Sequence, residues 1–191
     1  MNYLAFDIET VPVEIKDEFI REYLMDKQIS REMRSLNPLY AKVICICLKP
    51  KDSEFIILSN DDEKVILEEF WNIAKNYGSF ITHNGYGYDV PFLMIRSIIN
   101  QVKPSININT NKFSMLNSNH FDTMLFFSQN NVFTNPRLDV VAKTLGINIG
   151  EGRFTGVEVE RLFKENRLED IKQHCKQDVE ITEKVYLFVK S

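Results

Sequence analysis

Apolar positions along the chain fall into two rhythms, and each predicts a different element. Tyr3–Asp7, Ala41–Leu48, Phe55–Leu58, Ser79–Thr82 and His120–Thr123 are compact apolar runs and read as short buried strands. Lys49–Ser53, with a proline and small polar residues, reads as a hairpin turn between the second and third runs. Elsewhere the period lengthens. Ile15, Phe19 and Tyr23 recur at i, i+4 and i+8 within Glu14–Gln28, which predicts a helix packed through that face. Asp61–Asn76 presents Val65, Leu67, Phe70, Trp71 and Ala74 inward and stops at Gly78. Further helices are predicted at Val90–Asn100, Met124–Gln129, Leu138–Leu145, Glu158–Glu165 and Leu168–Val189, and Lys103–Asn119 reads as irregular.

Three strands on short connections, followed by strands alternating with helices, predict an α/β fold. Its core is a mixed sheet flanked by helices, with the later strands entering through right-handed crossovers. No repeat, linker or low-complexity tail interrupts the pattern, so residues 1–191 read as one domain. A chain of 191 residues with 44% hydrophobic positions is long and apolar enough to fill a core. The longest uninterrupted apolar run is the hexapeptide Val43–Leu48, against about 18 residues for a membrane helix, so no membrane association is expected. Asp7 and Glu9 follow the start at once, without a basic segment or a long apolar stretch, so no signal peptide is expected. Cys45, Cys47 and Cys175 give neither an even disulfide framework nor zinc-type spacing. The expected compartment is the reducing cytoplasm.

A net charge of −4 does not announce a nucleic-acid binder, which usually carries a basic excess. The objection weakens where a site is itself built from carboxylates, because bound cations offset them. Asp7 and Glu9 lie two apart on a strand, on one face, where both can grip one cation. With 11 Asp and 16 Glu, about one D-x-E is expected by chance, and it starts at positions 7, 52, 61 and 178. Context separates the first. Leu4, Ala5, Phe6 and Ile8 surround it with apolar strand, and buried charges are paired or bind metal. The bland reading is a strand end reaching solvent.

Thr82–Leu93 holds a Gly-rich turn followed by Asp89. Its bland reading is an N-cap, with Pro91 in the first helical turn; its functional reading presents Asp89 beside the strand ends. His174 and Asp178 sit at i, i+4 on one helical face. They are either a surface pair or a metal ligand with a histidine that handles attacking water. His120, beside Asp122, is favoured as structural.

In order along the chain, Phe6–Thr10, then Asn84–Gly85 with Tyr88–Pro91, then His174–Val179 resemble the three exonuclease motifs of the DEDD superfamily. Within it they are most similar to the predicted 3′–5′ exonucleases related to the proofreading domain of family B DNA polymerases. The resemblance covers Asn2 to about Val189, including Leu138–Gly146. It implies a ribonuclease H-like fold with a five-stranded mixed sheet and two divalent cations, Mg²⁺ or Mn²⁺, held by Asp7, Glu9, Asp89 and Asp178. Asp7 would bridge the ions, Glu9 and Asp178 complete one site, and Asp89 support the other. His174 stands as the candidate base. Thr10 and Asn84 are candidate positioners of the terminal nucleotide, and Tyr86, in an exposed turn, and Tyr88 are candidates for base stacking. Phe92 and Phe121 read as core first, and Arg153 is as readily a solvated arginine as a phosphate contact.

The implied activity is 3′–5′ exonucleolytic hydrolysis of single-stranded nucleic acid, DNA favoured over RNA, releasing nucleoside 5′-monophosphates. A replication or repair protein is the expected partner. The alternatives are a structure-specific endonuclease and a catalytically weak nucleic-acid-binding module. One departure stands out. The most similar subgroup carries tyrosine four residues before the last aspartate, and another branch carries histidine five before it. Here histidine occupies the tyrosine spacing, with Gln173 at the other.

Overall fold

A computed structural model describes residues 2–111, 118–150 and 156–191. In chain order the elements are β1 (Tyr3–Pro12), α1 (Glu18–Asp26), α2 (Arg31–Ser35), β2 (Ala41–Pro50), β3 (Ile56–Leu58), α3 (Glu63–Ala74) and β4 (Ser79–Thr82). They continue with α4 (Asp89–Ile99), β5 (His120–Asp122), α5 (Thr123–Phe127), α6 (Leu138–Thr144), α7 (Gly156–Lys164) and α8 (Leu168–Lys190). The five strands form one sheet in the order β3-β2-β1-β4-β5. β1–β2 and β2–β3 pair antiparallel, β1–β4 and β4–β5 parallel, which is the mixed sheet the connection lengths predict.

Alternation along the central strand sets both layers of the core. Leu4, Phe6 and Ile8 face one way, onto Leu67, Phe70 and Trp71 of α3 and Phe92 and Leu93 of α4. Tyr3 and Ala5 face the other way, with Cys45 and Cys47 of β2, onto Cys175 and Val179 of α8. β1 is therefore buried on both sides up to the point where Asp7 and Glu9 take their places in the second row. There the register shifts: Glu9 pairs with Cys45, but Thr10 pairs with Val43. The intervening Ile44 is an extra residue, a bulge that turns it toward Val11, Val159 and Leu162.

A buried ion pair braces this irregular stretch. Glu63 Oε1 accepts the N–H of Val43 at 2.7 Å. Arg96 donates to the same carboxylate through Nε at 2.9 Å and Nη2 at 2.5 Å, and through Nη1 to the Pro38 carbonyl at 3.0 Å. The network joins α3, α4, β2 and the Pro38 turn.

Three sequence expectations change. β1 and β2 run longer than their apolar runs, because pairing with each other extends both to ten residues. The predicted Glu14–Gln28 helix starts at Glu18, where Asp17 accepts the N–H of Ile20 at 3.0 Å. Its apolar face is not core: Phe19 is 76% exposed and Tyr23 43%. A separate short helix, α2, follows where the sequence pattern predicts no element, capped by Ser30 Oγ on the Met33 N–H at 3.2 Å.

Candidate active site

Three segments far apart in sequence meet at the carboxyl ends of β1 and β4. β1 brings Asp7 and Glu9, the turn after β4 brings Asp89, and α8 brings His174 and Asp178. A cleft of about 490 Å³ is walled by Asp7, Glu9, Thr10, Tyr88, His174 and Asp178, with Ser35, Leu36 and neighbouring α2 residues opposite. His174 Nε2 lies 3.8 Å from Glu9 Oε1 and 3.8 Å from Asp178 Oδ2. Gln173 is exposed, in a shallow depression with Gln177 and Lys184, so the histidine at the tyrosine spacing is the one that faces the cleft.

Asp89 is buried and is not the N-cap of α4. Tyr88 holds that position without a side-chain cap, and Asp89 is the first helical residue. Its Oδ1 turns instead to β1 and accepts the N–H of Ile8 at 3.2 Å. Desolvation raises its pKa to about 7, with the nearby charges of Asp122 and Asp178 adding to the shift. Burial also pushes Asp7 and Glu9 well above the usual carboxylate range. Asp7 feels Asp89, Glu9 and Asp178 in addition; Glu9 feels Asp178 and Asp89. Three buried acids held above their usual range, with the charge of Asp178 beside them, are an arrangement a cation stabilises. The donor set is oxygen-rich, which fits Mg²⁺ or Mn²⁺.

The Gly-rich turn is held from behind by residues with no chemistry of their own. Asp122 accepts the N–H groups of Asn84 and Tyr86 at 3.0 Å each and of Leu125 at 3.1 Å. His120 Nδ1 faces the Asn109 carbonyl at 3.0 Å and so carries the proton, leaving Nε2 to accept from the Thr82 hydroxyl at 2.7 Å. That hydroxyl accepts the Gly85 N–H at 3.1 Å. A Cβ on Gly85 would stand 2.1 Å from Thr82 Oγ1, which is why glycine is required there. Burial lowers the His120 pKa to about 4 and keeps the ring neutral. His83 is likewise structural, donating from Nε2 to the Pro136 carbonyl at 3.1 Å.

The nucleotide-contact candidates separate. Tyr86 is not exposed. Its ring stacks on His120 with centroids 4.5 Å apart, and its hydroxyl reaches Ser118 Oγ at 2.6 Å, so it offers no open face to a base. Asn84 is half-buried at φ +70°, with its N–H committed to Asp122. Thr10 and Tyr88 do wall the cleft. Thr10 donates to the Ser35 carbonyl at 2.9 Å, and Tyr88 Oη lies 2.7 Å from Thr10 Oγ1, which ties both to the end of α2. Phe92 is core. Arg153 lies outside the described residues. Sequence reasoning missed α2 as a wall of the cleft, Glu160 at its edge with Arg31 and Lys164, and Asp122 as the anchor of the turn. For Asp122 the available signal was its place just before a short helix, where its side chain caps α5.

No curated protein sequence matches the chain. The fold matches the structure of the family B DNA polymerase from the hyperthermophilic archaeon Pyrobaculum calidifontis, with a TM-score of 0.68 at 19% identity. That match covers 95% of this chain and 23% of the polymerase, so the chain spans less than a quarter of that protein's length. The mixed five-stranded sheet with helices on both faces is thus the ribonuclease H-like fold of such an exonuclease domain. A family described as predicted 3′–5′ exonucleases related to the exonuclease domain of PolB matches residues 36–191, which hold Asp89, His174 and Asp178, while β1 adds Asp7 and Glu9 through the fold. The chain belongs to that family of predicted 3′–5′ exonucleases.

Proposed function

We propose that the protein is a metal-dependent 3′–5′ exonuclease that removes nucleoside 5′-monophosphates from single-stranded 3′ ends, DNA in preference to RNA. The observation that carries the reading is that Asp7, Glu9 and Asp178 line one cleft, with Asp89 buried behind them on the Ile8 N–H, and that burial and neighbouring charge push Asp7, Glu9 and Asp89 above the usual carboxylate range. Asp7, Glu9 and Asp178 would hold one ion, with Asp7 shared to a second supported by Asp89. Two bound Mg²⁺ or Mn²⁺ ions would supply charge stabilisation to the entering and leaving oxygens of the phosphoryl centre.

The chain's own residues do the rest. His174, 3.8 Å from Glu9 and from Asp178, orients the attacking water and takes its proton. Thr10 and Tyr88, locked to the Ser35 carbonyl, form a rigid wall against the terminal sugar. Water adds to phosphorus as its proton passes to His174, the bond to the 3′ oxygen of the penultimate nucleotide breaks, and that oxygen takes a proton from solvent and leaves as a hydroxyl. A replication or repair protein that delivers frayed 3′ ends is the partner this reaction suits.

The test is incubation of 5′-labelled single-stranded DNA and RNA with Mg²⁺, Mn²⁺ or EDTA. The expected result is a ladder shortening from the 3′ end, abolished by EDTA and faster on DNA. Intact DNA and RNA in Mn²⁺ would sink the reading, and cleavage of circles as fast as linear strands would turn it into an endonuclease.

A further inference from the structure

One cluster of potential metal donors at the site is not all oxygen. Cys175 is fully buried one residue after His174, and its thiol lies 3.4 Å from the Asp7 carbonyl oxygen and 3.5 Å from Asp7 Oδ2. Among the described residues, Asp7, Glu9 and Cys175 each offer one ligand atom, all within 4.8 Å of one another, and Asp178 is not in this trio. A carboxylate oxygen at about 2.0 Å and a thiolate at about 2.3 Å from one tetrahedral ion stand about 3.5 Å apart. The Cys175 thiol donates to Asp7 Oδ2 over the same 3.5 Å, so an ion replacing that proton would not need the two atoms to move apart.

We propose that Asp7, Glu9 and Cys175 form a second mode of metal binding, selective for a thiophilic divalent ion such as zinc or cadmium. It overlaps the hard-ion site of the proposed exonuclease and rests on that reading for its consequence. A hard ion such as Mg²⁺ needs near-octahedral oxygen ligation and gains nothing from sulfur, so it takes Asp7, Glu9 and Asp178. A softer ion gains from the thiolate and accepts four ligands, the fourth being water from the cleft. As the metal–sulfur bond forms, the thiol proton passes to solvent and no oxidation state changes. Asp7 and Glu9 line the cleft but Cys175 does not, so sulfur ligation draws the ion inward, off the wall that Asp178 provides. Zinc or cadmium then occupies the site without supporting turnover, and displaces Mg²⁺.

The test is titration of the metal-free, full-length protein with Cd²⁺ and Co²⁺, following thiolate-to-metal charge-transfer absorption. The band should saturate at one ion per chain in the parent and in Cys47→Ser, and be absent in Cys175→Ser. Inhibition of Mg²⁺-supported hydrolysis by Cd²⁺ should weaken in Cys175→Ser by more than the ~10–100-fold that losing an outer contact of a metal site costs. Cadmium NMR of the parent reads one-sulfur against all-oxygen ligation with no substitution at all. No band in the folded parent, a band undiminished in Cys175→Ser, or an all-oxygen cadmium shift would each overturn the proposal. A band without hydrolysis of labelled strands leaves the thiol site standing and removes the exonuclease reading. Hydrolysis without a band does the reverse.

Discussion

The carboxylate of Asp89 accepts the backbone N–H of Ile8 at 3.2 Å, across 81 positions of sequence. Ile8 lies between Asp7 and Glu9, so one hydrogen bond fixes the acid of the turn after β4 against the strand that carries the other two. Asp89 thereby gives up the helix-capping role its position invites, and its alignment with β1 is set by a contact rather than by loop stiffness.

Asp89→Asn should keep that acceptor and remove a charge. Between pH ~4 and 7 the native state holds a proton on Asp89 that the unfolded chain releases, so this group's contribution to apo stability falls as pH rises through about 7. The Asn variant should melt higher than the parent at pH 8 and by a smaller margin at pH 5, where the loss has only begun. Metal-supported hydrolysis should drop at least about 10²-fold. Thermal melts at both pH values, with and without Mn²⁺, check the sign, and a variant less stable at pH 8 would count against it.

Asp122→Ala leaves three backbone N–H groups, two of them buried, without their acceptor. A loss of about 2–4 kcal/mol in urea unfolding is expected, because each orphaned donor keeps its desolvation cost. Gly85→Ala should be destabilising by a similar route, since its Cβ collides with Thr82 and the turn must shift. In both variants hydrolysis per folded molecule should fall, because the turn is what aims Asp89.

His174→Ala should lower turnover by about 10² to 10⁴ while Mn²⁺ affinity, followed by calorimetry, changes little. His174→Tyr should recover part of the loss, since the position faces the cleft and the spacing suits tyrosine. Turnover within a few-fold of the parent would reduce His174 to a helix-face partner of Asp178.

Arg96→Met strips a buried carboxylate of its main partner and should cost about 3–5 kcal/mol. Arg161, exposed between Glu158 and Glu165, should cost no more than about 1 kcal/mol when replaced by alanine. Denaturant titrations of the two variants side by side measure the contrast that burial makes.

Sequence by itself determined the elements whose apolar rhythm is strong. It placed α3, α4, α6 and α8 and the five strands in order, because periodicity is a local property. It failed where a partner outvotes local preference. The Ile15–Phe19–Tyr23 spacing looks like a core face, but the helix starts only at Glu18 and Phe19 and Tyr23 stay exposed. Tyr86 sits in a Gly-rich turn that looks solvent-facing, yet β5 places His120 beneath its ring. Asp89 looks like a cap and becomes a tether to β1. The role of Asp122, the walls supplied by α2 and the thiol of Cys175 against Asp7 depend on contacts across 25 to 168 positions. No window of sequence contains such contacts, and only closing the sheet brings their atoms within bonding distance.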